Sequence, residues 1–157
     1  MVRLSSLVQE NAVYLDLDAL SPSDALAEMV RRLVQAGIVE EADRAALHRV
    51  LLDRESIGAT AVGHGVALPH ATFDKLPRHL MALARLRRPI DYAGPDDRPV
   101  DLIFLLLGPQ RVAADHLQIL SKITRLIKDE QFDQELRRAA TPAAVLAALR
   151  ATEDRHR

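Results

Sequence analysis

The chain has 157 residues, a net charge of −1 and no cysteine. This length suits one domain with its own core, and the absence of cysteine excludes disulfides, thiolate nucleophiles and zinc–thiolate sites. The balanced charge lacks the basic surplus typical of nucleic-acid binders, and no apolar run reaches the ~18 residues of a membrane span. The first ten residues lack the basic-then-apolar pattern of a signal peptide, so we expect none. We therefore expect a cytoplasmic protein that neither inserts into membranes nor binds nucleic acid.

The first third of the chain predicts one strand and two helices. Apolar and polar residues alternate over 13–17, which indicates a short strand. Ser21 followed by Pro22 is typical of a helix start, and Gly37 predicts the end of that helix. A second helix with a basic end is predicted over 41–54.

The middle of the chain predicts a sheet. Residues 58–70 contain three glycines between short apolar pieces, which is typical of tight turns and short strands. Longer strands are predicted over 79–86 and 100–107, separated by a loop rich in Pro, Gly and Asp over 91–99. The 100–107 run is almost continuously apolar, which indicates a strand buried on both faces.

The last third of the chain predicts three helices, over 113–128, 130–139 and 142–150. Together with the central strands, they favour an α/β fold: a single domain with a mixed β-sheet flanked by helices on both sides. We assign the domain to residues 1–152. We expect residues 153–157 to be a polar C-terminal tail, frayed from Thr152 onwards.

His70 is the first candidate for chemistry. Pro69 fixes φ before it and biases Leu68 towards an extended backbone. A histidine on such a stiff segment can be held rigidly while it faces solvent, as a nucleophilic imidazole requires. The alternative is a loop histidine without a role.

Arg54 and His116 are two further candidates. Arg54 ends a helix, where a guanidinium could bind phosphoryl oxygens or simply favour the negative end of the helix dipole. His116 lies in the first turn of the third-last helix, on its apolar stripe. It could face the sheet ends as a neutral hydrogen-bond donor, or be a core-edge histidine bonded to a carbonyl. His64, between two glycines, could approach the same site, but we favour a turn.

The segment from Asp53 to His70 reads DRESIGATAVGHGVALPH. It resembles the signature of the enzyme IIA domains of the fructose/mannitol class in the bacterial sugar phosphotransferase system, and particularly the stand-alone nitrogen-regulatory branch. The resemblance extends over most of the chain, including residues 4–15, residues 101–107 and the Asp115-His116-Leu117 triplet.

The resemblance implies a mixed sheet flanked by helices and a phosphoryl-carrier function. It implies that His70 accepts the phosphoryl group, through Nε2, from the phosphohistidine of HPr or its nitrogen-branch counterpart. By matching motif, Arg54 is the basic site residue and His116 the second site histidine. Sugar-type members pass the group to a cysteine of a IIB partner, which here would be a separate protein. Nitrogen-type members mostly regulate other proteins, and we favour that role; no cofactor or metal is implied.

Two details of the site follow from this interpretation. Many relatives have glycine after the active histidine, whereas this chain has Ala71, which would cost stability if the backbone there required a positive φ. We expect the carrier to dock on an apolar surface around His70, with Val66, Leu68 and Phe73 as its candidates.

Two other classes of function compete with the carrier hypothesis. A metal hydrolase could use His64, His70 and His116 as an open zinc site, although no His-Glu-x-x-His spacing is present. A regulatory binding module with an inactive site is the other alternative, which the presence of all three candidate residues disfavours.

Overall fold

A mixed six-stranded sheet forms the centre of the computed structural model, which describes residues 2–156. The spatial order is β1-β5-β6-β3-β2, and β4 also pairs with β6. Neighbours β5 and β6 are antiparallel, as are β2 and β3, whereas β1 is parallel to β5, and both β3 and β4 are parallel to β6. The strands are β1 Val13–Leu17, β2 Ala61–Gly63, β3 Val66–Ala67, β4 His70–Thr72, β5 Leu80–Ile90 and β6 Val100–Gly108.

The central strand β6 carries the core on both of its faces. Ile103, Leu105 and Leu107 belong to one hydrophobic cluster. Phe104 and Leu106 belong to a second cluster. Side chains alternate along a strand, so a continuous apolar run supplies both layers. The prediction of a strand buried on both faces is therefore confirmed.

Helices cover both faces of the sheet, as predicted. Residues of α1 and α2 pack into the first cluster, and residues of α3, α4 and α5 into the second. The single α/β domain with a mixed sheet between helices is thus confirmed. The helices are α1 Pro22–Gln35, α2 Arg44–Ile57, α3 Ala113–Ile127, α4 Glu130–Arg138 and α5 Pro142–Arg155.

Capping residues determine where several of these helices begin or end. The Ser21 hydroxyl accepts a hydrogen bond from the Asp24 N–H at 3.1 Å, and Pro22 follows at the first helical position. Gly37 has a φ of +74°, which glycine adopts without steric cost just after α1. Thr141 caps α5 in the same way as Ser21 caps α1.

Two helices have bounds that differ from the prediction by more than one residue. A 3₁₀ turn over 41–43 precedes α2, which begins at Arg44 and continues to Ile57. The expected frayed tail is wrong: α5 continues to Arg155, and both Thr152 and Glu153 are buried. The polar tail is ordered because it packs against the N-terminal segment, a contact that composition cannot reveal. Among residues 2–156, no helix combines the length and apolar character needed to cross a bilayer.

Candidate active site at the end of the central strand

Three strands bring two histidines to one end of the sheet. The central strand β6 ends at Gly108, with β4 on one side and β5 on the other. His70 is the first residue of β4 and lies opposite Leu106. His79 directly precedes β5, whose first residue pairs with Leu107. The two histidines therefore lie on opposite sides of the end of β6.

The hydrogen bonding of His70 determines which of its ring nitrogens carries the proton. Its Nδ1 lies 2.8 Å from the carbonyl oxygen of Leu68. A carbonyl oxygen only accepts hydrogen bonds, so Nδ1 carries the proton and donates it. The neutral ring then has its lone pair on Nε2. The half-buried His70 is thus held in the tautomer that leaves the Nε2 lone pair unprotonated.

The segment before His70 is fixed on both sides. The Leu68 N–H donates to the carbonyl of Thr60 at 3.0 Å, and the Leu106 N–H donates to the carbonyl of Pro69 at 3.0 Å. These bonds tie the Leu-Pro pair to the connection after α2 on one side and to β6 on the other. They provide the rigid placement expected for His70 from its preceding proline.

His116 is buried close to His70. It lies in the first turn of α3 and is only 8% exposed. Burial lowers the pKa of His116, and the neighbouring charges of His79 and His70 lower it further. Its imidazole is therefore neutral near pH 7 in the free protein, and it lies near enough to His70 for the two rings to influence each other electrostatically.

Arg54 lies at the same end of the sheet. Its Nη1 donates to the carbonyl of Gly58 at 2.8 Å, in the connection that leaves α2. Two residues later, Thr60 bonds to Leu68, directly before the Pro69-His70 pair. The C-terminal end of α2 therefore reaches the His70 end of the sheet, with the Arg54 guanidinium on the outside of that connection.

A buried cluster next to Arg54 was not found from the sequence. The Tyr92 hydroxyl donates to Glu55 Oε1 at 2.8 Å, and the Thr60 hydroxyl donates to the same oxygen. Burial raises the pKa of the Tyr92 hydroxyl, so it stays protonated and remains a donor. The cluster anchors Glu55, and with it the chain beside Arg54. Glu55 falls within the family signature, whereas Tyr92, in a polar loop, carries no local signal.

His79 is the other residue that sequence reasoning missed. Its ring centroid lies 4.7 Å from that of His116. It is 9% exposed, and burial lowers its pKa. A histidine at the start of an apolar strand has no distinguishing pattern, so only the pairing of β5 with β6 reveals this contact.

His64 lies at the opposite end of the sheet. It occupies the turn between β2 and β3 with a φ of 59°, as favoured from its flanking glycines. Its N–H donates to Asp96 at 3.0 Å, and its carbonyl accepts from Arg137 at 2.9 Å. The proposed zinc site of His64, His70 and His116 is therefore not formed. Within residues 2–156, no group of three or more His, Asp or Glu side chains is arranged to hold a metal ion.

The prediction of which apolar residues form the docking surface is wrong. Val66, Leu68 and Phe73 are all buried, because Val66 lies in β3, the other two lie directly after β3 and β4, and all three pack into the hydrophobic clusters. The large apolar side chains that are exposed lie elsewhere; in the described part of the chain they are Leu20, Ile57 and Leu117.

Ala71 fits its position without backbone strain. It lies in β4 opposite Leu107, so its backbone is extended. An alanine is as suitable there as the glycine of many relatives, because no positive φ is required.

The comparisons with known proteins agree with this architecture. The model of the family "Phosphoenolpyruvate-dependent sugar phosphotransferase system, EIIA 2" matches residues 6–152. A nitrogen regulatory protein of Bradyrhizobium diazoefficiens is 39% identical over 93% of this chain and 94% of its own length. A fructose-specific EIIA component of Haloferax volcanii is 33% identical over 93% of this chain and 94% of its own length. The crystal structure of IIA-Ntr from Neisseria meningitidis aligns with a TM-score of 0.82 at 27% identity, over 92% and 97% of the two chains.

The chain therefore belongs to the EIIA type 2 family of the phosphoenolpyruvate-dependent phosphotransferase system. Within this family it is closely related to the nitrogen regulatory IIA proteins. It is a phosphotransferase component, and its function is that of a phosphoryl carrier.

Proposed function

We propose that Nε2 of His70 accepts a phosphoryl group from the phosphohistidine of an HPr-type carrier protein. The observation that carries this proposal is the 2.8 Å contact between Nδ1 of His70 and the carbonyl of Leu68. It places the only ring proton on Nδ1 and leaves the lone pair on Nε2. The proposal also rests on membership of the EIIA family.

The transfer exchanges one nitrogen–phosphorus bond for another. Nε2 of His70 attacks phosphorus with its lone pair as the bond to the donor imidazole breaks, and the donor nitrogen keeps that electron pair. The donor ring becomes neutral and the His70 ring gains positive charge, which the Leu68 carbonyl stabilises through the Nδ1–H bond. Such a step needs positioning and charge stabilisation rather than acid–base catalysis, and no metal or cofactor.

Arg54 and His116 are proposed to stabilise the phosphoryl oxygens. Arg54 lies on the outside of the connection after α2, where its guanidinium can turn from the Gly58 carbonyl towards an incoming anion. Burial keeps His116 neutral, so one of its ring nitrogens carries a proton and can donate it to a phosphoryl oxygen.

We favour a regulatory role for the phosphorylated protein. The relative named as a nitrogen regulatory protein is 39% identical, whereas the fructose-specific component is 33% identical. In a regulatory role, the phosphorylation state of His70 would alter binding to a target protein. The alternative is a sugar-transport component that passes the phosphoryl group to the cysteine of a separate IIB protein.

A phosphorylation assay tests the carrier function. The protein would be incubated with phosphoenolpyruvate, enzyme I and either HPr or its nitrogen-branch counterpart, and then weighed intact by mass spectrometry. We expect one acid-labile phosphoryl group per chain, transferred faster from the nitrogen-branch carrier. Absence of labelling by both carriers would contradict the proposal. Adding a IIB protein to the labelled form separates the two roles, because only a sugar-type component would be discharged.

The carrier is proposed to dock on Leu117 and Ile57. Leu117 is 72% exposed and follows His116 on α3, while Ile57 ends the helix that supplies Arg54. We expect Leu117→Asp to raise the KM for the carrier about tenfold with little change in kcat, since burying a leucine contributes about 1.5–3 kcal/mol to binding.

The matched control for this prediction is Leu20→Asp. Leu20 is 76% exposed but follows β1, which ends at the opposite edge of the sheet from His70. Steady-state kinetics with carrier as the varied substrate would measure both variants. Equal KM values for Leu117→Asp and Leu20→Asp would show that this surface is not the docking surface.

A further inference from the structure

His79 and His116 form a buried imidazole pair over the end of β6. Their ring centroids are 4.7 Å apart and the ring planes are tilted by 50°. Both Nε2 atoms lie 3.1 Å from the point where a Cβ on Gly108 would stand. A side chain at position 108 would also meet Cδ2 of His79 at 2.5 Å, so the glycine leaves the space in which the two nitrogens converge.

Neither converging nitrogen has a hydrogen-bond partner among residues 2–156. Both rings are more than nine-tenths buried, so water does not readily substitute for the missing partner. Buried polar atoms without partners are rare and unfavourable, and they call for an explanation. These two nitrogens converge on one point beside His70, the proposed phosphoryl acceptor. They indicate a site in which both nitrogens gain hydrogen-bond partners in another state of the protein.

We propose that His79 and His116 together take up one proton when the phosphoryl group is on His70, with His79 as the positioning partner of His116. The inference rests on the proposed phosphorylation of His70. A proton from solvent bonds to the lone pair on Nε2 of His116, and the lone pair on Nε2 of His79 accepts the resulting N–H, while the N–H that neutral His116 already carries on Nδ1 donates to the phosphoryl group. The charged His116 then faces the phosphoryl dianion, so both buried nitrogens gain partners at once.

The surrounding charges are consistent with a pair that is neutral before phosphorylation. Burial is the main influence on both rings and lowers their pKa, while Asp115 on α3 raises it for both. His70 on β4 lowers the pKa of His116, and β6 contributes only the uncharged Gly108. In the turns beside the pair, Arg111 bonds to the carbonyl of Pro77, and the remaining charged residues are exposed: Asp74, Lys75 and Arg78.

Phosphorylation places negative charge beside the pair. The phosphoryl group adds a charge of about −1.5 to −2, which favours the protonated form of a neighbouring imidazole. The pKa of His116 therefore rises when His70 is phosphorylated. Because the phosphorylated form binds an additional proton, its population increases as the pH falls. Between the pKa values of the free and phosphorylated forms, the equilibrium constant should change by up to about tenfold per pH unit.

The test compares wild type with His79→Phe, which keeps an aromatic ring and removes the nitrogens. Histidine ring resonances, followed by NMR between about pH 5 and 9, would give the pKa of His116 before and after phosphorylation. In wild type we expect phosphorylation to raise this pKa by at least about one unit. In His79→Phe the rise should fall by half or more, and the pH dependence of phosphoryl exchange with the carrier should flatten.

Two further variants separate the pair from general packing. His79→Gln keeps a side-chain carbonyl that can accept the His116 N–H, so it should retain more of the pKa rise than His79→Phe. His48→Phe is the matched control, because this half-buried histidine on α2 faces α1, and it should behave as wild type.

The outcomes distinguish this inference from the proposed function. Failure of wild type to be phosphorylated on His70 would remove the proposed function itself. If wild type is phosphorylated but the titrations of His79 and His116 do not move, the proton uptake is contradicted, whatever the variants show. An equal pKa rise in wild type and His79→Phe would contradict the role of His79 alone.

Discussion

Replacing His70 with glutamine is expected to abolish phosphorylation completely. The glutamine amide can still donate to the Leu68 carbonyl, which Nδ1 of His70 contacts at 2.8 Å, but its nitrogen has no nucleophilic lone pair. Because His70 is half-buried in a short edge strand, the free energy of unfolding should change by no more than about 1 kcal/mol. Intact mass after incubation with phosphoenolpyruvate, enzyme I and carrier would give the labelling, and urea unfolding the stability.

His64→Gln is the matched control for this substitution. It changes the same residue type in a turn at the opposite end of the sheet, where the backbone of His64, not its ring, contacts Asp96 and Arg137. This variant should be labelled at the wild-type rate. A phosphoryl group remaining on His70→Gln, for example on His116, would contradict the assignment of His70 as acceptor.

Replacing Glu153 with glutamine is expected to destabilise the protein by about 3 kcal/mol. The carboxylate is 2% exposed and accepts hydrogen bonds from the N–H groups of Leu4 at 2.6 Å and Ser5 at 2.9 Å. It also pairs with Nζ of Lys122 at 3.0 Å. The glutamine amide would have only one acceptor oxygen for these three donors, the Leu4 and Ser5 N–H groups and the Lys122 ammonium. At least one buried donor would therefore lose its partner. Urea denaturation would measure the loss.

Glu40→Gln is the control, since this exposed glutamate precedes α2 and should change the unfolding free energy by less than about 0.5 kcal/mol. An equal, small effect of both substitutions would show that Glu153 does not anchor the N-terminal segment. Phosphorylation of Glu153→Gln should persist wherever the variant is folded, because Glu153 lies on α5, outside the proposed phosphoryl site.

The Glu153 contribution should also depend on pH. Burial by itself raises the pKa of this carboxyl, but the hydrogen bonds from Ser5 and Leu4 and the Lys122 ammonium outweigh it, so the folded-state pKa lies below the ordinary value of 4.5. A depressed folded-state pKa means that the stabilisation is fully present above pH 4.5 and is lost as the pH falls through the folded-state value. The stability difference between wild type and Glu153→Gln should therefore shrink below about pH 4.5, which unfolding curves at several pH values would test.

Sequence reasoning predicted best those features that depend on neighbouring residues. The β1 strand and the starts of α1 and α5 were predicted because alternation and capping operate within a few residues. The buried character of β6 followed from its apolar run, and that run also indicated a sheet with helices on both faces. The family signature around residues 53–70 supplied the hypothesis that His70 is the acceptor, which spacing alone left open.

The sequence by itself thus determined the α/β fold class, most of its elements and the candidate residues His70, Arg54 and His116. Only the tertiary structure decided that His79 meets His116, that His64 lies apart, and that Glu153 is buried against Leu4. These contacts join residues between 30 and 150 positions apart in the chain, roughly, and strand order and helix packing bring them together. Local patterns cannot encode such contacts, because turn, cap and periodicity preferences act over a few residues. Whether a polar side chain is exposed or buried is decided by what packs over it.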